Sequence, residues 1–362
     1  MITTTAELES ACAKARADGF IALDTEFVWK RTYRPRLGIV QLGTRGECWA
    51  VDCLMSLKTD ALKSVIEDPS VVKILHDARQ DLTHLRHWTG AVPANVFDTQ
   101  LAAAFAGFPG GIGLQKLLME AIDVGLAKIE TCTDWTQRPL SEAQVRYALD
   151  DVRYLPALRE ELCRRALGLG TLEWMAEEQL AYDDAALYGD YDPETVWTRV
   201  KTGRVRLDAR GRAVLRSVAA LREEMARELD LPRNWVGDDD SLVRMAERRE
   251  VTRLVHRLRG GQGDTLRARY AKAVAEALAL PEEECPEDPR RHYIAEVEEA
   301  AVRARAWLEG KAAEIHVDPG VIANRAALTA FVDDVNDSAN PLASGWRYEA
   351  VGRELAERFG VD

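Results

Sequence analysis

The chain has 362 residues, of which 47% are hydrophobic and 30% charged, and its formal net charge is −12 at pH 7. This composition is typical of a globular protein with two or three domains and excludes a largely disordered chain. No run of about 18 apolar residues occurs, so no membrane association is expected. The start of the chain lacks a signal-peptide pattern, and six scattered cysteines without a C-x-x-C pair suggest reduced thiols, so we expect a cytoplasmic protein.

Residues 1–170 alternate short apolar runs with helical patterns, which predicts an α/β domain. A turn at 44–46 separates the second and third strands, so the sheet is expected to open with an antiparallel meander. The predicted strands cover 20–23, 37–42, 48–51, 71–75 and 96–97. The predicted helices cover 59–67, 78–88, a stretch ending at 105, a stretch beginning at 113, and one long helix over 141–162.

The rest of the chain is predicted to be an acidic connector over 171–206, followed by two all-helical blocks over 207–288 and 289–362. Residues 201–280 carry 18 basic and 12 acidic residues, although the whole chain is acidic. A local basic patch can bind phosphate even in an acidic protein, so this stretch is a candidate nucleic-acid surface. A solvated, arginine-rich helical surface is the alternative interpretation.

Four acidic residues and one tyrosine stand out in three separated segments. Asp24 and Glu26 are two apart on the first strand, so their side chains point to the same face. Asp81 lies in the first turn of a helix, where the helix dipole alone would favour an acid. Tyr147 and Asp151 are four apart on a helix and share a face. Each pattern taken alone also fits an ordinary surface or helical pair.

The chemistry of these residues favours a nuclease. If Asp24, Glu26, Asp81 and Asp151 converge, they offer an all-oxygen cage for two divalent cations such as Mg²⁺ or Mn²⁺. Two such ions can clamp the attacking and the leaving oxygen of a phosphodiester. Asp150, about 100° around the helix from Asp151, is expected to face solvent.

These three segments resemble the motifs of the DEDD 3′–5′ exonuclease superfamily, in its tyrosine variant, and within it the ribonuclease D family. The basic helical block resembles the helicase-and-RNase-D C-terminal (HRDC) domain, and the last block resembles a second, divergent copy of it. The resemblance implies an RNase H-like α/β exonuclease domain with a mixed central sheet over 1–170, followed by two all-α HRDC-like domains. Further matching stretches are 37–42, 97–99, 113–117 and 134–140.

The resemblance also implies roles for individual residues. The catalytic set would be Asp24, Glu26, Asp81, Tyr147 and Asp151, in which the four carboxylates bind two Mg²⁺ or Mn²⁺ ions. Tyr147 would position the attacking water. Thr25 and Phe27 would contact the terminal nucleotide of the substrate, with simple core packing as the alternative for Phe27.

The implied activity is metal-dependent trimming of RNA 3′ ends, with single-stranded ends of transfer RNA precursors as the expected substrate, 5′-mononucleotides as the product and a monomer as the acting form. A DNA-directed 3′–5′ exonuclease and a non-catalytic nucleic-acid scaffold remain as alternatives. Three histidines, His76, His84 and His87, lie near the second motif but form no H-E-x-x-H pattern, so a helix-surface location is expected for them.

Overall fold

A computed structural model describes residues 1–126, 134–189, 191–251, 262–288 and 293–361. The chain forms two compact units, which are described separately below. Across the described ranges, no helix has both the length and the apolar character needed to cross a membrane. The first unit comprises Met1–Phe27, Leu37–Gly189 and Tyr293–Asp362, and the second comprises Val28–Arg36 and Asp190–His292.

A five-stranded sheet runs through the first unit. Its strands are β1 (Phe20–Val28), β2 (Arg36–Gly43), β3 (Cys48–Asp52), β4 (Val72–Leu75) and β5 (Val96–Asp98), in the order β3-β2-β1-β4-β5. The β1–β4 and β4–β5 pairs are parallel, whereas β2 and β3 are antiparallel, so the predicted mixed sheet is confirmed. The register of β1 with β4 ends at Ala22, so Asp24 and Glu26 lie on the part of β1 beyond this pairing.

Within the described residues up to 189, eight α-helices accompany the sheet. They are α1 (Thr5–Asp18), α2 (Asp60–Ile66), α3 (Ala78–Thr89), α4 (Thr99–Ala103), α5 (Leu114–Ile122), α6 (Glu142–Arg153), α7 (Leu155–Leu169) and α8 (Leu172–Gln179). The single helix predicted over 141–162 is wrong, because α6 ends at Arg153 and α7 begins at Leu155. Pro156 explains the break, since it has no N–H to donate to the carbonyl of Val152 and its ring would clash there. The start was predicted correctly: Ser141 and Gln144 form a capping box.

Short 3-10 turns follow α8 at Leu180–Asp183 and Ala185–Tyr188. The described part of the second unit contains a 3-10 turn (Val196–Arg199), α9 (Ala209–Glu228), α10 (Arg233–Val236), α11 (Asp239–Arg248), α12 (Gln262–Ala279) and a 3-10 turn (Glu282–Glu284). The sequence also offers Ser241 as the N-cap of a helix through Glu247, but helix α11 begins earlier, because Asp238 caps it and accepts a hydrogen bond from the Ser241 amide at 2.7 Å. The apolar periodicity of the sequence also predicts a helix over 251–258, most of which lies outside the described ranges.

The last helical block belongs to the first unit. It consists of α13 (Ala295–Glu314), α14 (Pro319–Ile322), α15 (Arg325–Asp333), a 3-10 turn (Pro341–Ala343), α16 (Gly345–Arg347), a π-helical turn (Tyr348–Gly352) and α17 (Arg353–Phe359). Its apolar side chains share one core with the residues that cover one face of the sheet. Trp346 packs edge-on against Phe105 with ring centroids 5.1 Å apart, and Arg347 donates to Glu178 at 2.7 Å.

Candidate active site

Strand β1 and helix α6 bring three carboxylates together. Because successive side chains of a strand alternate between faces, Asp24 and Glu26 project to the same side of β1. Asp151 of α6 meets them there, and ligand oxygens of the three residues all lie within 4.8 Å of one another. All three side chains are partly buried. The structure thus assembles three of the four predicted metal ligands into one group.

Asp81 borders this group from helix α3. It is not among the three that lie within mutual ligand distance, but its negative charge acts on all of them. Its side chain is 9% exposed, and its carboxylate accepts a hydrogen bond from the hydroxyl of Thr25. The fourth predicted ligand therefore lies beside the group, held by a residue of the same strand that carries Asp24 and Glu26.

Burial and repulsion from nearby carboxylates raise the pKa of each carboxyl group. Burial is the larger cause for Asp24, whose pKa is well above its usual range, and the charges of Asp81, Asp151 and Glu26 add to it. Burial, followed by the charges of Asp151 and Asp81, raises the pKa of Glu26 to about 8. Burial followed by nearby aspartates raises the pKa of Asp81 and of Asp151 to about 7.

A divalent cation fits this arrangement on two grounds. The raised pKa values indicate negative charge without a compensating cation among the side chains, and a bound cation would remove the repulsion. The donor set consists of carboxylate oxygens, which hard ions such as Mg²⁺ and Mn²⁺ prefer to nitrogen or sulfur.

Tyr147 lies one helical turn before Asp151 on α6. Burial, followed by the charges of Asp151, Glu26 and Asp24, raises the pKa of its phenol to about 12. The phenol therefore keeps its proton at neutral pH and is a hydrogen-bonding group rather than a base. Its ring stacks against Trp135, with centroids 6.4 Å apart and an interplanar angle of 24°.

Arg138 holds the segment that carries Trp135. Its guanidinium donates to both oxygens of Asp52 on β3, at 2.7 and 2.6 Å, and to the carbonyls of Gly38 and Trp135, at 2.9 and 2.8 Å. Gly38 allows this close approach, because a Cβ at that position would lie 2.4 Å from the Trp135 carbonyl oxygen. The sequence predicts that the stretch 134–140 matches the family, but it indicates no role for the residues of this stretch. Arg138 and Asp52 are 86 positions apart, so no local pattern could indicate their contact.

His84 also belongs to the site, and its predicted surface location is wrong. Its side chain is 8% exposed, and its Nδ1 lies 3.3 Å from the Thr25 hydroxyl. Its ring forms a T-shaped contact with Phe27, with the ring centroids 4.2 Å apart. His84 is three residues after Asp81, so both share the face of α3 that meets β1. That spacing was the signal available in the sequence. His87 is exposed, as predicted, whereas His76 is partly buried.

The two residues predicted to contact substrate, Thr25 and Phe27, lie on β1 beside the carboxylates. Thr25 is 5% exposed with its hydroxyl on Asp81, and Phe27 is partly buried against His84. Their contact with a nucleotide stays a prediction. Gln41, which sequence reasoning did not single out, is fully buried and donates to Asp24 at 3.1 Å. Asp150 is not among the three carboxylates within mutual ligand distance, and it pairs with Arg153 at 3.0 Å.

Two parts of the chain match known domain families. Residues 1–166 match a family of 3′–5′ exonuclease domains, and residues 211–278 match the HRDC domain. These regions lie within the predicted segments 1–170 and 207–288; the boundaries themselves stay predictions.

Two curated relatives and one solved structure resemble nearly the whole chain. Ribonuclease D of Desulfotalea psychrophila is 35% identical over 96% of this chain and 95% of its own length. Ribonuclease D of Pseudomonas paraeruginosa is 34% identical over 97% and 94%, respectively. The crystal structure of Escherichia coli RNase D superposes with a TM-score of 0.85 at 29% identity, covering 100% of this chain and 99% of that one.

The mixed sheet, its acidic group and the two matched domains define a 3′–5′ exonuclease that carries an HRDC domain. Within this class, relatives that are 34% and 35% identical over nearly their full length identify one family. The chain belongs to the ribonuclease D family and is a 3′–5′ exoribonuclease.

Proposed function

We propose that the chain shortens RNA from its 3′ end, one nucleotide at a time, using two Mg²⁺ or Mn²⁺ ions held by Asp24, Glu26, Asp81 and Asp151. The observation that carries this proposal is the mutual approach of the Asp24, Glu26 and Asp151 ligand oxygens to within 4.8 Å. Ions bound there would activate the attacking water and stabilise charge on the leaving 3′-oxygen. The water oxygen forms the new P–O bond of the released 5′-mononucleotide, and the P–O3′ bond breaks. The leaving 3′-oxygen takes up a proton and becomes the terminal 3′-hydroxyl of the shortened RNA.

The surrounding side chains orient these parts. Tyr147 holds the attacking water through its phenol, which stays protonated because its pKa is about 12. Gln41 fixes Asp24, and Thr25 fixes Asp81, so each carboxylate presents its oxygens in a set direction. Thr25 and Phe27, next to the carboxylates on β1, contact the last nucleotide of the substrate.

The substrate we propose is the single-stranded 3′ end of structured RNA, with transfer RNA precursors as the principal example. The E. coli enzyme of the same fold is described as an exoribonuclease involved in structured RNA processing. A frayed end suits a site recessed on a strand, since the last phosphodiester must reach partly buried carboxylates. The acidic group is complete within one chain, which supports action as a monomer. We place this activity in the cytoplasm, where RNA precursors are processed.

A 5′-labelled single-stranded RNA tests the proposal. Wild-type protein with Mg²⁺ or Mn²⁺ should give a ladder that shortens by one nucleotide and should release 5′-mononucleotides, and EDTA should stop both. Asp151→Asn should reduce the rate by about 10³-fold or more. Asp150→Asn is the matched control, because its carboxylate is adjacent in sequence but paired with Arg153, and it should keep near wild-type activity.

Three results would contradict the proposal: no cleavage of any RNA by the wild type, internal cuts instead of a ladder, or equal losses in the two variants. A DNA oligonucleotide of the same sequence serves as competitor. If the enzyme digests the DNA preferentially, its substrate is DNA and not RNA, whereas the proposed cleavage chemistry is unchanged.

A further inference from the structure

A chain of aromatic and guanidinium groups runs through the second unit. The guanidinium of Arg233 lies over the rings of Tyr33 and Tyr191, 4.7 Å from each centroid. The guanidinium of Arg199 lies over Tyr191 at 4.2 Å. The contacts therefore follow the order Tyr33, Arg233, Tyr191, Arg199, and we call this set the Tyr–Arg stack. Tyr33 is 7% exposed, whereas Arg199 at the other end is exposed.

The buried end of the Tyr–Arg stack is held by charged hydrogen bonds. The Tyr33 hydroxyl donates to Glu223 and accepts from Arg227 at 2.8 Å and from Arg233 at 3.1 Å. Arg233 also donates to Glu223 at 2.9 Å, and Glu223 is fully buried. Arg227 further donates to the Tyr191 carbonyl. Tyr33, Arg233 and the backbone of Tyr191 are fixed in this way, so the part of the stack on which Arg199 lies is ordered before a ligand binds.

An open cavity of about 530 Å³ lies at the exposed end of the stack. This volume is in the range of small-ligand sites and can hold a nucleotide. Its wall includes Tyr191 and Arg199 of the stack, Lys201, Arg222, and the aspartates Asp238, Asp239 and Asp240.

The charged groups that line the cavity differ in whether they form hydrogen bonds and ion pairs with the protein. Asp239 accepts from Arg222 at 2.6 Å and from the Lys201 amide at 3.1 Å, and Asp238 caps α11. In contrast, neither Arg199 nor Lys201 has an ion pair within the part of the chain that the structure describes. Arg222 is 7% exposed, and its Nε has no acceptor among the described groups. The cavity therefore offers cationic groups and donor capacity that the protein itself does not use.

We propose that this cavity binds one nucleotide of a single-stranded RNA; this rests on the proposed function, since RNA is taken as the substrate. The base stacks on the guanidinium of Arg199, which continues the Tyr–Arg stack by one member. Lys201 contacts the phosphate, and the exposed Asp240 accepts from an amino group of the base edge. A bare phosphate ion would leave the stacking surface and the acidic acceptor unused, so a nucleotide fits the lining better.

Binding to the full-length chain in EDTA tests this site without cleavage. The probe is a labelled single-stranded RNA of about 12 nucleotides, followed by fluorescence anisotropy. Arg199→Ala should raise Kd by about fivefold or more, the scale of one lost stacking contact. Arg199→Lys should also weaken binding by about threefold or more, because it keeps the charge but loses the plane. Lys201→Ala should raise Kd and reduce the salt slope by about one.

Lys272→Ala is the matched control, because Lys272 is an exposed basic residue of the same unit outside the cavity, 3.7 Å from Glu276. Its Kd should stay within about twofold of the wild type. Cleavage of a dinucleotide with Mg²⁺ separates the two proposals, since Arg199→Ala should leave it unchanged. A wild type that binds and cuts RNA, together with an Arg199→Ala variant of equal affinity, overturns the cavity site alone. A wild type that neither binds nor cuts RNA overturns the proposed function instead.

Discussion

Tyr147 illustrates how the environment decides the role of a single group. Its phenol, with a pKa of about 12, cannot act as a base at neutral pH, but it can position a water beside Asp151. We therefore expect Tyr147→Phe to lower the single-turnover rate of RNA cleavage by about 10–100-fold. Mn²⁺ affinity, measured by calorimetry, should stay at the wild-type value, because the carboxylates are untouched. An unchanged rate would mean that the hydroxyl has no role.

The carboxylates also make the stability of the metal-free protein depend on pH. The pKa values of Glu26, Asp81 and Asp151 in the folded chain, about 7 to 8, exceed the usual values near 4, and the pKa of Asp24 is also raised. The folded state therefore binds more protons than the unfolded state between these limits. Their contribution to stability is thus fully present below about pH 4 and is lost as pH rises through 7 to 8.

Asp24→Asn should therefore stabilise the protein in EDTA at pH 8 by about 0.5–2 kcal/mol and have a smaller effect at pH 5.5. Saturating Mg²⁺ should remove the advantage, because the wild type then gains the binding free energy. Unfolding midpoints at the two pH values, with and without Mg²⁺, check this. A variant that is less stable than the wild type at pH 8 in EDTA would contradict it.

Residues with local patterns were predictable from sequence, whereas residues that act across elements were not. The i, i+2 spacing of Asp24 and Glu26 and the i, i+4 spacing of Tyr147 and Asp151 each indicate a shared face. Gln41 and His84 contact site residues of another element, Asp24 at 17 positions and Thr25 at 59 positions along the chain, respectively. For His84, the i, i+3 spacing to Asp81 was the local signal.

At the scale of elements, the segment 134–138 precedes α6 along the chain and is hydrogen-bonded to β2 and β3. Arg138 pins it to Asp52, and Trp135 then packs against Tyr147. Arg138→Ala should lower kcat by about tenfold or more, with a smaller change in KM, because the phenol loses its support. Arg138→Lys should restore only part of this loss, since lysine cannot bond both oxygens of Asp52 in the same way.

Arg146→Ala on α6 is a suitable control, because Arg146 is exposed. Steady-state kinetics and calorimetric Mn²⁺ titration of all three variants check the expectation. If Arg138→Ala keeps the wild-type kcat, the Arg138–Asp52 contact does not position Tyr147.

The strands were found from sequence because each is a short apolar run bounded by turn residues, as at 37–42 and 48–51. The break between α6 and α7 was missed, because the apolar periodicity continues through Tyr154 and hides the effect of Pro156. Periodicity reports which face is buried, whereas the backbone hydrogen bonds decide where a helix ends.

At the scale of the whole molecule, the last helical block completes the core of the first unit. Trp346 is 2% exposed and lies between Phe105 and Trp174, with its indole N–H donating to Glu178 at 2.9 Å. Trp346→Ala should lower the free energy of unfolding by about 3–5 kcal/mol.

Urea unfolding of the variant checks this expectation. Trp29→Ala, at a residue that is 57% exposed, should change stability by less than about 0.5 kcal/mol. Similar small effects in both variants would contradict a structural role for the last block.

The sequence predicted the last block as a separate segment, but its grouping with the first unit depends on contacts between distant positions. The backbone amide of Gly110 donates a hydrogen bond to the carboxylate of Asp318, 208 positions away, and that of Trp346 donates to Glu177, 169 positions away. Neither contact has a local pattern, since a helical stripe indicates that a face is buried without indicating its partner.

The central claim is that Asp24, Glu26, Asp81 and Asp151 bind divalent metal ions in common. The most direct test is a crystal of the full-length protein soaked in Mn²⁺ and measured for anomalous scattering. We expect manganese peaks at about 2.0–2.2 Å from oxygens of Asp24, Glu26 and Asp151, and a peak in contact with Asp81. A well-ordered site without manganese, or manganese bound only elsewhere, would contradict the account.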